Sequence, residues 1–109
     1  PQDLIDPSVF EELEDAMGAE FAAELLDAFL GDAPNMFGDL RKAVAESDAD
    51  GYRRAAHSIK SNAQTFGAHA LADMARDMEL SGLVDQGAVT ALQSTFDTTA
   101  QVLKGLKDG

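Results

Sequence analysis

GYRRAAHSIKSNAQTFG, residues 51–67, decides the fold. Within it Tyr52, Ala56, Ile59, Ala63 and Phe66 recur at steps of four, three, four and three. Residues so spaced share one face of an α-helix, and an apolar face of this kind packs against a core. Gly67 then interrupts the pattern. At about 100° per residue, with the apolar stripe at zero, Lys60 falls near 80°, Arg53 near 100°, Gln64 near 120°, His57 near 140° and Ser61 near 180°. His57 therefore faces away from the core, in a strip of hydrogen-bond donors.

The same period extends in both directions. Asp6 reads as an N-cap, Pro7 as a first helical residue, and Glu11 and Glu12 as acids in the early turns of a short helix ending near Gly18. Phe21/Ala22, Leu25/Leu26 and Phe29 mark a second stripe. Pro34 can open a third helix carrying Met36/Phe37, Leu40 and Val44. Asp48 or Asp50 caps the next one. After Gly67, Leu71, Met74/Ala75 and Met78 form a stripe closed by Gly82, and Val89, Leu92, Phe96, Leu103 and Leu106 form the last. No alternating strand pattern competes. The expected fold is all-α: an antiparallel four-helix bundle with one or two additional short helices on the N-terminal side. Whether Pro34 separates two helices stays open at this level. No repeat, linker or low-complexity segment divides residues 1–109, which read as one domain.

Composition removes several classes of function. Eight basic residues against twenty acidic ones give a formal net charge of −12. Nucleic acid and anionic lipid both require a positive footprint, so neither is expected as a partner. No apolar run reaches the 18 residues of a membrane span, and PQDLIDP lacks the basic and apolar regions of a signal peptide. The absence of cysteine excludes disulfides, thiolate zinc sites and thiol catalysis, and is compatible with a cytoplasmic location.

The few cations are not scattered evenly. Arg53, Arg54, Lys60 and Arg76 place half of the basic residues around His57. A basic helix face is commonly no more than a solvated one, but the next helix adds a partner. If Gly67 reverses the chain, His57, ten residues before it, faces the Arg76–Glu79 turn. Glu79, on the flank of its own stripe, can accept from one ring nitrogen. That fixes the tautomer and leaves the other nitrogen with a free lone pair. A histidine so held, next to a lysine, suits a phosphoryl acceptor. His69, beside Asp73, is expected to be a surface residue.

Ala56-His57-Ser58-Ile59-Lys60, a run of small residues, Phe66-Gly67-Ala68, Leu71 and Glu79 resemble, in order and spacing, the histidine-containing phosphotransfer (Hpt) domain. The core of the motif is similar to the phosphotransfer domain of chemotaxis kinases. The resemblance implies a phosphorelay intermediate, phosphorylated on His57 by a receiver-domain aspartate or a kinase histidine, which passes the group to a response-regulator aspartate. It implies that Lys60 offsets phosphoryl charge, that Gln64 donates a hydrogen bond, and that Arg53, Arg54, Ser61 and Arg76 meet the partner. The expected partners are response-regulator receiver domains and an upstream sensor or hybrid histidine kinase, engaged by a monomer. No bound cofactor is implied, since receiver domains bring their own Mg²⁺. One position departs from the family pattern: Ser61 stands where glycine usually follows the lysine.

Rival chemistries fail on their spacing. Neither a Walker motif nor a kinase glycine-rich loop is present, so no autokinase or ATP site is expected. The DSL attachment motif of acyl carriers is missing. A calcium loop drawn through Gly51 puts His57 where a bidentate glutamate is required. Di-iron bundles need Glu-x-x-His, but Arg54 and Phe66 stand three before the two histidines. The remaining alternative is a non-catalytic helical interaction module of a signalling pathway.

Overall fold

Three of the helices start where an aspartate accepts from their unpaired backbone N–H groups. The computed structural model describes residues 4–108, so Pro1, Gln2 and Asp3 of the PQDLIDP segment lie outside it. Asp6 caps α1 (Pro7–Met17), accepting from the Ser8 N–H at 3.1 Å and the Ser8 hydroxyl at 2.7 Å. Pro7 occupies the first turn, where its missing N–H has no partner to lose. Gly18, at φ 92°, ends the helix. Asp48 rather than Asp50 caps α3 (Ala49–Thr65), accepting from the Gly51 N–H at 3.0 Å. Gly82, at φ 75°, closes α4 (His69–Ser81). Asp85 accepts from the Ala88 N–H at 3.2 Å where α5 (Gln86–Asp108) begins.

One junction that the sequence left open is decided by the structure. Pro34 does not open a helix; it lies inside α2 (Ala19–Glu46), which runs unbroken for 28 residues. At about 1.5 Å per residue that is about 42 Å, the long dimension of the molecule at 42 Å. The chain therefore has one short helix and four longer ones. Proline is tolerated because its ring is exposed while Phe29, Ala33, Met36, Phe37 and Leu40 bury the opposite face on both sides of it. Phe21, placed on the apolar stripe by sequence, is 42% exposed near the start of α2, with Ala22 buried beside it.

Helices α2, α3, α4 and α5 form a closed ring of neighbours, α2 touching α3 and α5, and α4 touching the same two. Helix α1 lies along α2. The apolar stripe of α3 and its C-terminal end is buried in full: Tyr52, Ala56, Ile59, Ala63 and Phe66. Phe66 stacks on Phe29 at 5.6 Å between ring centroids, and Phe29 meets Phe96 edge-on at 5.8 Å, joining α2, α5 and the end of α3. Among the described residues no helix is long and apolar enough to cross a membrane.

The turn between α3 and α4 depends on Gly67. Its φ of 71° is left-handed, and a Cβ there would stand 2.7 Å from the Val9 side chain and 2.8 Å from the Asp6 carbonyl oxygen. The Asp6 N–H donates to the Gly67 carbonyl at 2.8 Å, seating the start of α1 on this turn. With the turn fixed, α3 and α4 run side by side, which sets the register of the functional site.

Candidate functional site

Counting back from Gly67 places His57 opposite the last turns of α4, and the side chains meet there. His57 Nδ1 and Glu79 Oε2 are 2.8 Å apart. A carboxylate accepts only, so Nδ1 carries the hydrogen and Nε2 keeps its lone pair in the neutral ring. The His57 side chain is 56% exposed and that of Glu79 15%. The carboxylate is thus sheltered between the helices while the ring reaches solvent.

Lys60 joins the same carboxylate. Its Nζ lies 2.8 Å from Glu79 Oε1, and its side chain is 20% exposed. Oε1 is buried and has no hydrogen-bond partner, so the contact is an ion pair off the axis of a good hydrogen bond. Glu79 is held below the usual carboxylate range, first by Lys60 and then by His57, with burial opposing both. One negative charge therefore serves a ring and an ammonium from consecutive turns of α3. Sequence reasoning placed Lys60 beside His57 but overlooked its pairing with Glu79. The signal was present: at about 80° Lys60 lies nearer the core than His57, on the side that α4 covers.

The remaining cations separate. Arg53 Nη2 is 2.7 Å from Asp50 Oδ1, and Arg54 Nε is 3.2 Å from Asp50 Oδ2. Asp50, which sequence reasoning considered only as a cap, thus holds two of the site's arginines; its spacing of three and four to them was the clue. Arg53 pulls the Asp50 carboxyl below its ordinary range, and Asp50 in turn raises the arginine, with Glu79 adding a smaller effect. Arg54 turns towards α2, lining a groove with Asp39, Lys42, Glu46 and Ser58. Arg76 is exposed on α4, one turn before Glu79. Ser61 is exposed one turn past His57, on the outermost line of α3.

Gln64 is exposed two turns beyond His57 and lines a different hollow, with Asp6, Val9, Gly67, His69 and Asp73. It forms no hydrogen bond to His57. His69 is exposed at the first position of α4, as expected of a surface residue. Among the described residues no three His, Cys, Asp or Glu side chains are grouped to hold a metal ion.

An imidazole held through Nδ1, open at Nε2 and flanked by a lysine is the equipment of a nucleophile that takes up an anionic group. Comparison with known proteins bears on the fold and the family. No curated protein matches the chain. Among solved structures, histidine-containing phosphotransfer protein B (HptB) from Pseudomonas aeruginosa PAO1 superposes with a TM-score of 0.89. The two are 24% identical over 99% of this chain and 97% of that one, a likeness that speaks to the fold. The family model of the Hpt domain matches residues 24–109, from the first third of α2 to the C-terminal end. On that match the chain belongs to the Hpt domain family, whose members are histidine phosphotransfer intermediates of phosphorelays.

Proposed function

We propose that His57 is the phosphoryl carrier of this Hpt domain, loaded by a receiver-domain aspartate or a kinase histidine and unloaded by a receiver-domain aspartate. The observation that carries the reading is the 2.8 Å contact between His57 Nδ1 and Glu79, on a ring that is itself more than half exposed. The Nε2 lone pair attacks phosphorus, the bond from phosphorus to the aspartyl oxygen breaks, and the aspartate leaves as a carboxylate. Nδ1 keeps its proton, so the phosphorylated ring is cationic, and Glu79 stands against that charge. Lys60 offsets the negative charge that the phosphoryl oxygens carry through the transfer. In this reading the receiver supplies Mg²⁺, the upstream donor is a sensor or hybrid kinase, and the chain acts as a monomeric carrier without an ATP site.

Ser61 and Arg76 border the exposed face around His57, with Arg54 at its α2 edge, and together they form the partner's landing surface. Ser61 replaces a hydrogen with a hydroxymethyl group, a change small enough to leave room for a close approach.

Two histidines make the test direct. Purified protein is incubated with a phosphorylated receiver domain, and the label is checked for the acid lability of a phosphoramidate. His57→Gln keeps a polar side chain on an exposed helical position, so it should fold by circular dichroism and take up no label. His69→Gln should label at close to the parent rate. Retained labelling in His57→Gln, or an acid-stable label, would remove His57 from the role.

A further inference from the structure

On α3, Arg53 precedes His57 by four residues and Lys60 follows it by three, so the two cations bracket the ring along one face. Residues four apart on a helix have Cβ atoms about 5–6 Å apart, well within the span of an arginine side chain. Yet the two cations are held differently. Lys60 is drawn inward to Glu79, whereas Arg53 is drawn back towards the start of α3 by Asp50, at 2.7 Å. Both members of the Arg53–Asp50 pair are solvent-exposed, at 50% and 64%. An exposed pair of this kind is worth little and is readily exchanged for a stronger one.

We propose that Arg53 is a second phosphoryl-binding cation, parked on Asp50 while His57 is free and transferred to the phosphoryl oxygens once Nε2 is phosphorylated. The inference rests on His57 being the carrier. A phosphoryl group on Nε2 brings about two negative charges beside Glu79, which is already committed to the ring. If Lys60 turns to the new oxygens, its contact with Glu79 weakens. A second cation then has to balance the pair of anions, and Arg53 is placed for it. Its fork of N–H donors suits a phosphoryl group better than a single carboxylate oxygen. Arg54 stays with Asp50, so the aspartate is not left alone when Arg53 departs. Of the other charges nearby, Arg76 lies on α4, and Lys42, Asp39, Glu46 and Asp48 lie towards the α2 groove on the far side of Arg54.

Two measurements read this role apart from docking. In the first, the parent protein is phosphorylated and the Arg53 Nε–Hε resonance is followed by ¹⁵N NMR; it should shift and slow its exchange with water. In the second, the equilibrium division of phosphoryl between His57 and a receiver aspartate is measured. Arg53→Ala should move it about three- to tenfold towards the receiver. Asp50→Asn, which frees the arginine, should move it the other way. Arg41→Ala, which removes the same charge from α2, should leave it unchanged. A slower transfer in Arg53→Ala with an unmoved equilibrium, or an Arg53 resonance indifferent to phosphorylation, would reduce Arg53 to a docking residue and overturn the proposal. Mapping the label keeps the two readings distinct: phosphoryl found off His57 sinks the carrier assignment, while phosphoryl on His57 with an inert Arg53 sinks this one alone.

Discussion

Glu79 divides its two oxygens between His57 and Lys60, and the half given to His57 leaves Nε2 as the ring nitrogen with a free lone pair. A free imidazole favours the tautomer with hydrogen on Nε2, which would block the outward nitrogen. The carboxylate on Nδ1 reverses the preference. Glu79→Ala should therefore slow phosphoryl uptake by about tenfold while the fold and receiver affinity stay near the parent's. Single-turnover labelling gives the rate and ¹⁵N NMR of the His57 ring gives the tautomer. A tautomer ratio unaltered in Glu79→Ala would remove Glu79 from the mechanism. The His57–Glu79 pair was legible in the sequence, because a glycine reversal turns spacing along the chain into facing positions. The Asp50 latch was not singled out there. An acid just before two arginines on a polar helix looks the same whether it holds them or merely shares solvent with them.

At the scale of the helix, the boundaries that read correctly were those with chemistry of their own: Asp6 with Pro7, one of the two aspartates offered before α3, and the left-handed glycines 18, 67 and 82. Pro34 was ambiguous because one residue suits two places. It opens helices at the first position and survives inside them where its ring meets only solvent. The deciding signal lay in phase: Leu26, Phe29, Ala33, Phe37 and Leu40 continue one buried stripe across the proline without a slip. The ring still deprives the Leu30 carbonyl of its donor. Pro34→Ala restores that donor at an exposed position, so it should stabilise the protein by about 1–3 kcal/mol. The gain is read as a higher urea midpoint at unchanged slope. A lower midpoint would mean that a bend at Pro34 is needed to seat Met36 and Phe37.

For the molecule as a whole, a net charge of −12 sets self-repulsion against a small set of contacts that need particular protonation states. Glu79, Asp50 and Asp6 are all held below the ordinary carboxylate range, chiefly by Lys60, Arg53 and Ser8 respectively. Their charged forms are favoured in the fold. On acidification the unfolded chain takes up protons first, so their contribution is whole above about pH 4–5 and is lost as pH falls through their lowered values. Tyr52 runs the opposite way. Burial, and then the nearby Asp85, push its phenol above the ordinary value of 10, and its hydroxyl donates to the Asp85 carbonyl at 3.4 Å. Here the fold favours the neutral form, so the contribution is present below about pH 10 and disappears as pH climbs through the raised value. Stability against urea should therefore fall at both ends of the range, with the alkaline loss tied to one buried side chain. Tyr52→Phe keeps the ring that fills the core and gives up one hydrogen bond, which should cost about 0.5–1.5 kcal/mol at pH 7. It should also lose less stability than the parent between pH 9 and pH 11. Equal losses in the two proteins over that interval would show that Tyr52 is not the titrating group.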